Sequence, residues 1–410
     1  MSLEINPTDA YIVGTARTPV GSLGGSLASY SATKLGSIAL KAALARAKVE
    51  PSDVEEIYLG NVMSANLGQN PARQVALGAG CTEEKVVGTT VNKVCASGLK
   101  AISLAAQSIK LGENDVVVAV GAESMSNVPY YMPSARFGSK YGNQTLVDGL
   151  VRDGLTDAYD EKAMGYAAEA CSQKHEVTRE QQDEFAISSY RRAIEARDSG
   201  KFDNEIVGIE VFAGRGKPPK VVKSDDELSR FLPEKFPTLR PSFPDAEGKG
   251  TVTPGNASSL SDGAAAVVIV SGRHLQKLIA SKTIEDVKAH GIYKILSSAD
   301  GEKKPIEFTT APEVAIRKAL ERANNPKVDF YEFNEAFSVV GVANTKLLGL
   351  SPDVVNVHGG AVSIGHPLGC SGTRIVVSLC NVLLGNDAKV GAAAICNGGG
   401  GASAIVIERL

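Results

Sequence analysis

Two segments of the chain share one pattern: residues 97–120 read SGLKAISLAAQSIKLGENDVVVAV and residues 371–396 read SGTRIVVSLCNVLLGNDAKVGAAAIC. Each segment opens with Ser-Gly, continues as a stretch that is apolar on nearly every side, closes at Leu-Gly and leads into an apolar run. A helix that is apolar all round is buried between layers of structure. The pattern therefore predicts two buried helices, each followed by a strand.

The similarity extends outward from these two segments. Residues 43–47 and 57–61 (ALARA, IYLGN) resemble residues 319–323 and 330–334 (ALERA, FYEFN). Strand-like runs alternate with helical patterns, which predicts an α/β fold with a mixed or parallel sheet. We interpret the repeat as two similar halves related by a pseudo-twofold axis, and the alternative is chance similarity between alanine-rich helices. Strands are expected at 11–13, 56–60, 116–120, 265–270, 330–333, 392–396 and 404–407, and helices at 33–47, 99–110, 312–323 and 373–384.

Residues 121–250 differ in composition from the two halves that flank them. They contain more Pro, Tyr and charged residues, which predicts an inserted loop or lid domain. Within this segment Thr178-Arg-Glu-Gln181 is a capping box, and it predicts a helix that runs to Ser199 before Gly200. We expect residues 1–120, completed by about 251–272, to form the first half and residues 273–410 to form the second.

The composition excludes several classes of protein. A chain of 410 residues with a net charge of −3, 43% hydrophobic and 22% charged residues is typical of a globular protein. A net charge of this size indicates no basic surface that would bind nucleic acid. Apolar runs such as Ala264–Val270 are too short to cross a membrane. The six cysteines form no CxxC pair, which argues against a disulfide scaffold or a zinc finger. The N-terminal residues resemble neither a signal nor a transit peptide and Glu408-Arg409-Leu410 is not a peroxisomal signal, so we expect a cytoplasmic protein.

Cys95 lies in Asn92-Lys-Val-Cys-Ala-Ser-Gly98, directly before the first buried helix. A thiol at the turn between a strand and a helix meets the positive end of the helix dipole and unpaired N–H groups, which favour the thiolate. Cys95 is therefore a candidate nucleophile. The alternative, a small buried core cysteine, is the commonest fate of a free cysteine.

Two glycine-rich turns precede and follow the second buried helix. His366 is flanked by Gly365 and Pro367, a constrained position that suits a catalytic base, although a histidine bonded to the backbone of a loop would fit as well. Cys396 is followed by Asn-Gly-Gly-Gly-Gly between two apolar strands. Such a turn lets backbone N–H groups approach a ligand closely, as in an oxyanion hole. It has neither the spacing nor the lysine of a nucleotide-binding loop.

These segments identify a resemblance to the thiolases that covers essentially the whole chain. The matching motifs, in order, are Arg17-Thr-Pro-Val-Gly21, Asn92–Gly98, Gly121-Ala-Glu-Ser-Met-Ser126, Asn256-Ala-Ser258, Asp262-Gly-Ala-Ala265, Asn334-Glu-Ala-Phe337, Gly365-His-Pro367 and Cys396-Asn-Gly-Gly-Gly. The resemblance implies a five-layered α-β-α-β-α fold, which consists of two duplicated α/β halves with an inserted loop domain. This agrees with the internal repeat.

The resemblance also implies roles for five catalytic residues. Cys95 accepts the acyl group, and His366 activates it and helps to bind one thioester oxygen. Cys396 is the acid/base for the α-proton or the leaving thiol, and Asn334 holds a water that completes the oxyanion hole of His366. The N–H groups of Cys95 and Gly398 form the second oxyanion hole.

Two further sets of residues follow from the resemblance. The residues expected to bind coenzyme A are Met164, Tyr190, Arg230, Phe231, Leu232, Lys235 and Ser258. A potassium site of one branch of the family corresponds to Tyr190, Pro254, Gly255, Ala257 and Val362. Here Pro254 and Gly255 replace alanines, but carbonyl ligands tolerate a change of side chain. No covalent cofactor is expected.

The activity implied by the resemblance is the reversible Claisen condensation of two acetyl-CoA molecules. It yields acetoacetyl-CoA and CoA through an S-acetyl-cysteine, it supplies mevalonate and sterol synthesis, and the enzyme is expected to be a homotetramer, a dimer of dimers. Two alternatives stay open. One is a degradative 3-ketoacyl-CoA thiolase of broad chain length, and the other is a non-catalytic protein of this fold that binds acyl-CoA.

Overall fold

The computed structural model describes residues 5–212, 214, 216–285 and 287–410 of the chain. The strands are β1 (Ala10–Arg17), β2 (Gly21–Ser22), β3 (Glu56–Gly60), β4 (Val87–Val91), β5 (Val116–Ser124), β6 (Tyr130–Tyr131), β7 (Val147–Asp148), β8 (Ile209–Val211), β9 (Lys220–Val222), β10 (Ser261–Ser271), β11 (Tyr293–Glu302), β12 (Phe330–Phe333), β13 (Val390–Asn397) and β14 (Gly401–Arg409). The helices are α1 (Ala32–Ala47), α2 (Pro71–Ala79), α3 (Ser97–Leu111), α4 (Gly165–Lys174), α5 (Arg179–Asp198), α6 (Gly272–Ala280), α7 (Val287–His290), α8 (Ala311–Arg322), α9 (Ser338–Leu348), α10 (Ala361–Ile364) and α11 (Leu368–Gly385).

The main sheet is mixed and consists of two similar halves. Its strand order is β12-β13-β14-β11-β1-β10-β5-β3-β4, and β2 pairs with β10. The block β3-β5-β10-β1 repeats as β12-β13-β14-β11, with one parallel pair in each block and antiparallel pairs elsewhere. The two blocks meet between β1 and β11, where Tyr11 pairs with Lys294 and Ile12 with Tyr293. The internal repeat read from the sequence is thus a repeat of structure.

The helices divide these strands into five layers. The central helices α3 and α11 pack against each other and against strands of both blocks, and Ile102, Val117, Ile375 and Ile407 share one buried cluster there. Helices α1 and α2 cover the outer face of the first block, and α8 covers the outer face of the second. The predicted α/β fold of five layers is confirmed.

Glycine allows the two central helices to approach each other at their N-terminal ends. A Cβ atom on Gly98 would lie 2.7 Å from the backbone nitrogen of Thr373, and one on Gly372 would collide with the backbone nitrogen of Leu99. The Ser-Gly pair that opens each repeated segment is therefore a requirement of helix packing. It places the first turns of α3 and α11 side by side.

The segment between β5 and β10 lies outside the main sheet. It contains α4, α5 and two small ribbons, β6–β7 and β8–β9. The predicted capping box of α5 is present, with Thr178 and Gln181 each bonded to the other's backbone. The buried guanidinium of Arg17 on β1 ties the segment down through ion pairs of 2.7 Å to Glu205 and to Asp225. The exact domain boundaries stay a prediction.

One helix in the described part of the chain has the length and hydropathy of a membrane span. It is α11, whose mean hydropathy is 1.4, and 83% of it is buried inside the protein. A central helix between two sheets has the same composition as a membrane span. We therefore interpret its apolar character as packing.

Candidate active site

The chain forms a strained turn immediately before Cys95. Val94 has φ of 48°, which is rare for a β-branched residue. The hydroxyl of Ser97 holds the turn closed because it accepts from the backbone N–H of Lys93 at 2.8 Å and donates to the carbonyl of Val94 at 2.5 Å. Asn92 accepts from the N–H of Val94 at 2.9 Å. The turn projects the thiol of Cys95 at the start of α3.

Cys95 is 9% exposed, and its environment affects the thiol in two opposite ways. Burial raises the pKa of Cys95 to about 12, while the backbone N–H groups of Gly398 and of Cys95 itself lower it. We expected the start of the helix to favour the thiolate, but burial has the larger effect. The resting residue is a thiol, so it needs a base before it can attack.

His366 is suited to be that base. Its Nδ1 lies 2.6 Å from the hydroxyl of Ser371, and this hydroxyl donates to the carbonyl of Pro367 at 3.0 Å. The hydroxyl proton is therefore used, so Nδ1 carries the imidazole proton and Nε2 is left with a free lone pair. Burial and the nearby Arg374 lower the pKa of His366 to about 3, which keeps the ring neutral.

Asn334 lies beside the unprotonated nitrogen of His366. Its Nδ2 is 3.5 Å from Nε2 of His366, and its Oδ1 accepts from Nη2 of Arg374 at 3.4 Å. The backbone N–H of Asn334 donates to Ala394 at 3.0 Å, which continues the pairing of β12 with β13. Arg374 thus orients the amide so that its N–H donors point to the active site.

Cys396 lies near the end of β13 and is fully buried among residues that include Met164, Phe308 and Phe337. Burial raises its pKa well above the usual value, and a negative charge on the neighbouring Cys95 would raise it further. Cys396 therefore rests as a thiol. The turn that follows reaches its tightest point at Gly400, where φ is 100° and a Cβ atom would collide with the carbonyl of Lys303.

A cavity of about 1150 Å³ opens above these residues. Cys95, His366 and Gly398 line it, while Asn334 and Cys396 lie behind them. The remaining walls are mainly apolar. They come from residues 151–159, 161, 163–165, 242–243, 254, 257–260, 308, 336–337 and 368, together with Val62, Asn92, Val94 and Gly399. A mainly apolar cavity with a few converging polar groups is the usual form of a ligand site. Its size suits an extended ligand.

The residues expected to bind coenzyme A fall into two groups. Met164 and Ser258 line the cavity, and the hydroxyl of Ser258 donates to the carbonyl of Ala336 at 2.8 Å. Tyr190 and Phe231 stack on each other with ring centroids 4.8 Å apart, away from the cavity wall. The other three, Arg230, Leu232 and Lys235, lie on the surface near this pair, and Arg230 forms an ion pair with Glu227 at 3.0 Å.

Three of the five residues expected to hold potassium lie beside the ring of Phe236. Tyr190 and Val362 belong to the same buried cluster as Phe236, and a Cβ atom on Gly255 would lie 3.1 Å from the Phe236 ring. The other two residues, Pro254 and Ala257, line the active-site cavity. Burial raises the pKa of Tyr190, so its hydroxyl is a neutral oxygen ligand. Among the described residues, no group of three His, Cys, Asp or Glu side chains could hold a metal ion.

The structure adds four polar residues to the site that the sequence analysis did not single out: Lys93, Glu123, Ser371 and Arg374. The buried carboxylate of Glu123 accepts from the N–H of Gly369 at 2.9 Å and from the N–H of Val62 at 3.0 Å, so it joins the two halves. A signal was available for Glu123 and Arg374 in the sequence. Each is a charge within an otherwise apolar element, and such charges are buried only when they are paired.

Two family models match this chain. The model described as "Thiolase, N-terminal domain" matches residues 10–273, and the one described as "Thiolase, C-terminal domain" matches residues 290–409. The chain belongs to the thiolase family. It is therefore an acyltransferase, and the predicted family is confirmed.

Individual relatives agree with this assignment. The acetyl-CoA acetyltransferase of Schizosaccharomyces pombe is 55% identical over 405 residues, which cover 98% of this chain and 99% of the relative. The "Acetyl-CoA acetyltransferase ERG10, cytosolic" of Gibberella zeae is 54% identical over 408 residues, 99% of each chain. Among solved structures, the Acat5 thiolase of Ascaris suum in complex with coenzyme A has a TM-score of 0.89 and 42% identity, and the match covers 98% of this chain and 100% of that one. This likeness confirms the thiolase fold.

Proposed function

We propose that this thiolase is an acetyl-CoA C-acetyltransferase, which condenses two acetyl-CoA molecules to acetoacetyl-CoA and CoA. One observation carries the proposal: Cys95, His366 and Gly398 converge on one large cavity, and Asn334 and Cys396 lie directly behind them. Relatives more than half identical over nearly the whole chain are named for this activity, which supports the choice of substrate.

The first half-reaction transfers an acetyl group to Cys95. Nε2 of His366 takes the thiol proton, and Sγ of Cys95 attacks the carbonyl carbon of acetyl-CoA. The carbonyl oxygen gains charge and receives hydrogen bonds from the N–H groups of Cys95 and Gly398. When the carbon–sulfur bond of the thioester breaks, Cys396 gives its proton to the leaving sulfur. The products are S-acetyl-Cys95, CoA, a Cys396 thiolate and protonated His366.

The second half-reaction uses these two changed groups. The Cys396 thiolate removes an α-proton from a second acetyl-CoA, and protonated His366, with a water held by Asn334, stabilises the enolate oxygen. The enolate carbon attacks the acetyl group on Cys95, and the Cys95 sulfur leaves. His366 returns its proton to Cys95, so every catalytic group regains its starting state and acetoacetyl-CoA is released.

We propose that coenzyme A extends from the cavity to the protein surface. Met164 and Ser258 would contact its pantetheine arm, and Arg230 and Lys235 would pair with phosphates. The partly exposed ring of Phe231, which stacks on the buried ring of Tyr190, and the exposed Leu232 would offer an apolar surface for adenine. Arg152, an exposed cation on the cavity wall, offers a further partner for phosphate.

We propose a potassium ion among Tyr190 and the carbonyls of Pro254, Gly255, Ala257 and Val362. Neutral oxygen donors with no carboxylate suit a monovalent hard cation. Because Pro254 and Ala257 also line the active-site cavity, an ion held there would order part of the substrate-binding wall. Its expected contribution is thus to binding and not to a chemical step.

We propose that the enzyme is a homotetramer in the cytosol that supplies mevalonate and sterol synthesis. β4 is an edge strand on which Val87 is 59% exposed, and an unpaired edge of this kind suits pairing with a second copy. The exposed apolar side chains of residues 130–146 offer a second contact. The Gibberella zeae relative, whose printed name includes the word cytosolic, supports the location.

The experiment that tests the proposed activity compares two substrates. We measure CoA-dependent cleavage of acetoacetyl-CoA and of 3-ketopalmitoyl-CoA by the purified protein, in potassium and in sodium buffer. Cleavage of the four-carbon substrate alone is expected. Comparable cleavage of both would indicate a degradative thiolase, and cleavage of neither would indicate a non-catalytic binder. An equal rate in sodium buffer would contradict the potassium site.

A further inference from the structure

The catalytic groups of this site come from different halves of the molecule. Cys95 belongs to the first half, whereas Cys396 lies near the end of β13 in the second half and Gly398 on the turn that follows. The main sheet joins the two halves through only two paired positions of β1 and β11. Because a misplacement of about 1 Å can reduce a rate about 100-fold, side-chain contacts between the halves must fix the distance between the thiols.

Lys93 makes the most extensive of these contacts beside the thiols. Its Nζ donates to the carbonyl of Ala402 at 3.0 Å, to Oγ of Ser403 at 3.1 Å and to Oδ1 of Asn397 at 3.3 Å. It also lies 3.2 Å from Oδ1 of Asp300. A fifth partner, Oε1 of Glu302, lies 3.9 Å from Nζ. All five partners belong to the second half, and they surround both ends of the glycine turn. Asn397 directly follows Cys396.

The backbone of Lys93 is hydrogen-bonded within the turn that carries Cys95, while its side chain is bonded to the other half. Its N–H donates to Ser97 at 2.8 Å, and its carbonyl accepts from Ala96 at 3.1 Å, so the turn around Cys95 is closed from both sides. The strained φ of Val94 persists only because surrounding contacts hold it. A displacement of the Lys93 side chain is therefore transmitted to the thiol.

We propose that Lys93 is a positioning residue that sets the Cys396–Gly398 turn against the thiol of Cys95. The inference rests on the proposed function, because it assigns Lys93 to the alignment of groups that act in that reaction. Lys93 acts through the turn and not on the substrate: its neighbours Asn92 and Val94 line the cavity, while its Nζ lies among Asn397, Ala402 and Ser403.

Lys100 provides a matched control. It is a second lysine of the first half that pairs with Asp300, with its Nζ 2.7 Å from Oδ2, and its side-chain exposure of 27% is close to the 21% of Lys93. Within the described part of the chain, its Nζ bonds to Asp300 and to no residue of the glycine turn. Lys100→Met and Lys93→Met therefore each remove one positive charge beside Asp300. Lys93→Met also removes the bonds to the turn and a 3.9 Å ion pair with Glu302.

The test measures kcat and KM for acetoacetyl-CoA cleavage in the wild type and in Lys93→Met, Lys93→Arg and Lys100→Met. For Lys93→Met we expect kcat to fall about 30- to 100-fold, with KM within about twofold, because alignment is lost and the cavity wall is unchanged. Lys93→Arg should recover part of the rate through bonds to Ala402 and Ser403. Lys100→Met should stay within about twofold of the wild type in both constants.

A result in which Lys93→Met and Lys100→Met have equal kcat would overturn the proposal. If Lys93→Met does not fold, Ser403→Ala replaces it: this variant removes one acceptor of Lys93, and kcat should fall with KM unchanged. An unchanged kcat there would contradict the proposal as well. Failure of the proposed function is distinguishable, because in that case the wild type itself would not cleave acetoacetyl-CoA.

Discussion

The two central helices carry equivalent Ser-Gly pairs near their N-terminal ends, but Ser97 is the first residue of α3 and Ser371 the fourth of α11, and the two serines bind different groups. In the first half the hydroxyl of Ser97 closes the strained turn that carries Cys95. In the second half the hydroxyl of Ser371 accepts from the imidazole of His366 and fixes its proton on Nδ1. The two halves thus carry the same Ser-Gly pair near the start of a central helix. In the proposed mechanism one copy presents the nucleophile, and the other presents the base that activates it.

The cysteines beside the two serines differ in the same way. Cys95 lies two residues before Ser97 and faces the cavity, whereas Cys370 lies directly before Ser371 and is 1% exposed in the core. Burial raises the pKa of both thiols to about 12. Backbone N–H groups donate to the sulfur of Cys95 and lower its pKa, whereas no backbone donor in the described part of the chain lowers the pKa of Cys370. Access and donors, rather than residue type, separate the nucleophile from the structural cysteine.

Replacement of the two cysteines should show the largest difference between the two halves. We expect Cys95→Ala to reduce kcat for acetoacetyl-CoA cleavage at least about 1,000-fold, because the acyl acceptor is lost. Cys370→Ala should keep kcat within about threefold while lowering stability by about 1–2 kcal/mol, because a buried sulfur is removed. Steady-state kinetics and urea unfolding measure the two effects. A Cys95→Ala variant that retains wild-type kcat would contradict the assignment.

Replacement of the two serines sharpens the comparison further. Ser371→Ala should lower kcat about 10- to 100-fold with little change in KM, because Nδ1 of His366 loses its acceptor and the imidazole loses its fixed tautomer. Ser97→Ala should act on stability as well as on kcat, because the strained turn at Val94 loses two hydrogen bonds. Kinetics together with unfolding curves separate the two variants. Identical effects on both measurements would contradict the division of roles.

The smallest expected effect concerns pH and His366. Burial lowers its pKa to about 3 in the folded state, while the unfolded residue titrates near 6.5. The unfolded chain therefore binds the proton first, so the contribution of His366 to stability is complete above pH 6.5 and is lost as the pH falls toward 3. Between pH 7.5 and 5.5 the wild type should lose about 1 kcal/mol more than His366→Gln. Urea unfolding at the two pH values measures both losses of stability. If the wild type and His366→Gln lose the same amount, the imidazole is exposed or charged in the folded protein.

Much of this architecture can be predicted from the sequence because the deciding patterns are local. The all-apolar helices α3 and α11 and the capping box of α5 each depend on neighbouring residues, and all three are found. The second Ser-Gly pair does not open its helix as expected, because α11 begins three residues earlier, at Leu368. Strand β4 of the main sheet was missed, and so was strand β11. Strand β11 alternates buried and partly buried residues and contains Ser297 and Ser298, so it shows no continuous apolar run.

The contacts that align the catalytic groups could not be predicted in the same way. The partners of Lys93 and Glu123 lie in the other half of the molecule, and local patterns do not show which distant groups a charge meets. The same limit explains why the sequence did not predict that Cys95 rests as a thiol. The start of a helix is visible in the sequence, but the burial that outweighs it is created by the second half.

The most direct measurement locates the acetyl group after the protein is mixed with acetyl-CoA. We acid-quench the reaction within milliseconds, digest the protein and identify the acetylated peptide by mass spectrometry, with Cys95→Ala as the control. The account predicts one acetyl group per chain, on Cys95, and none in the control. Acetylation of Cys370 or Cys396 in the wild type, or equal labelling of the control, would contradict the claim that the first helix start presents the nucleophile.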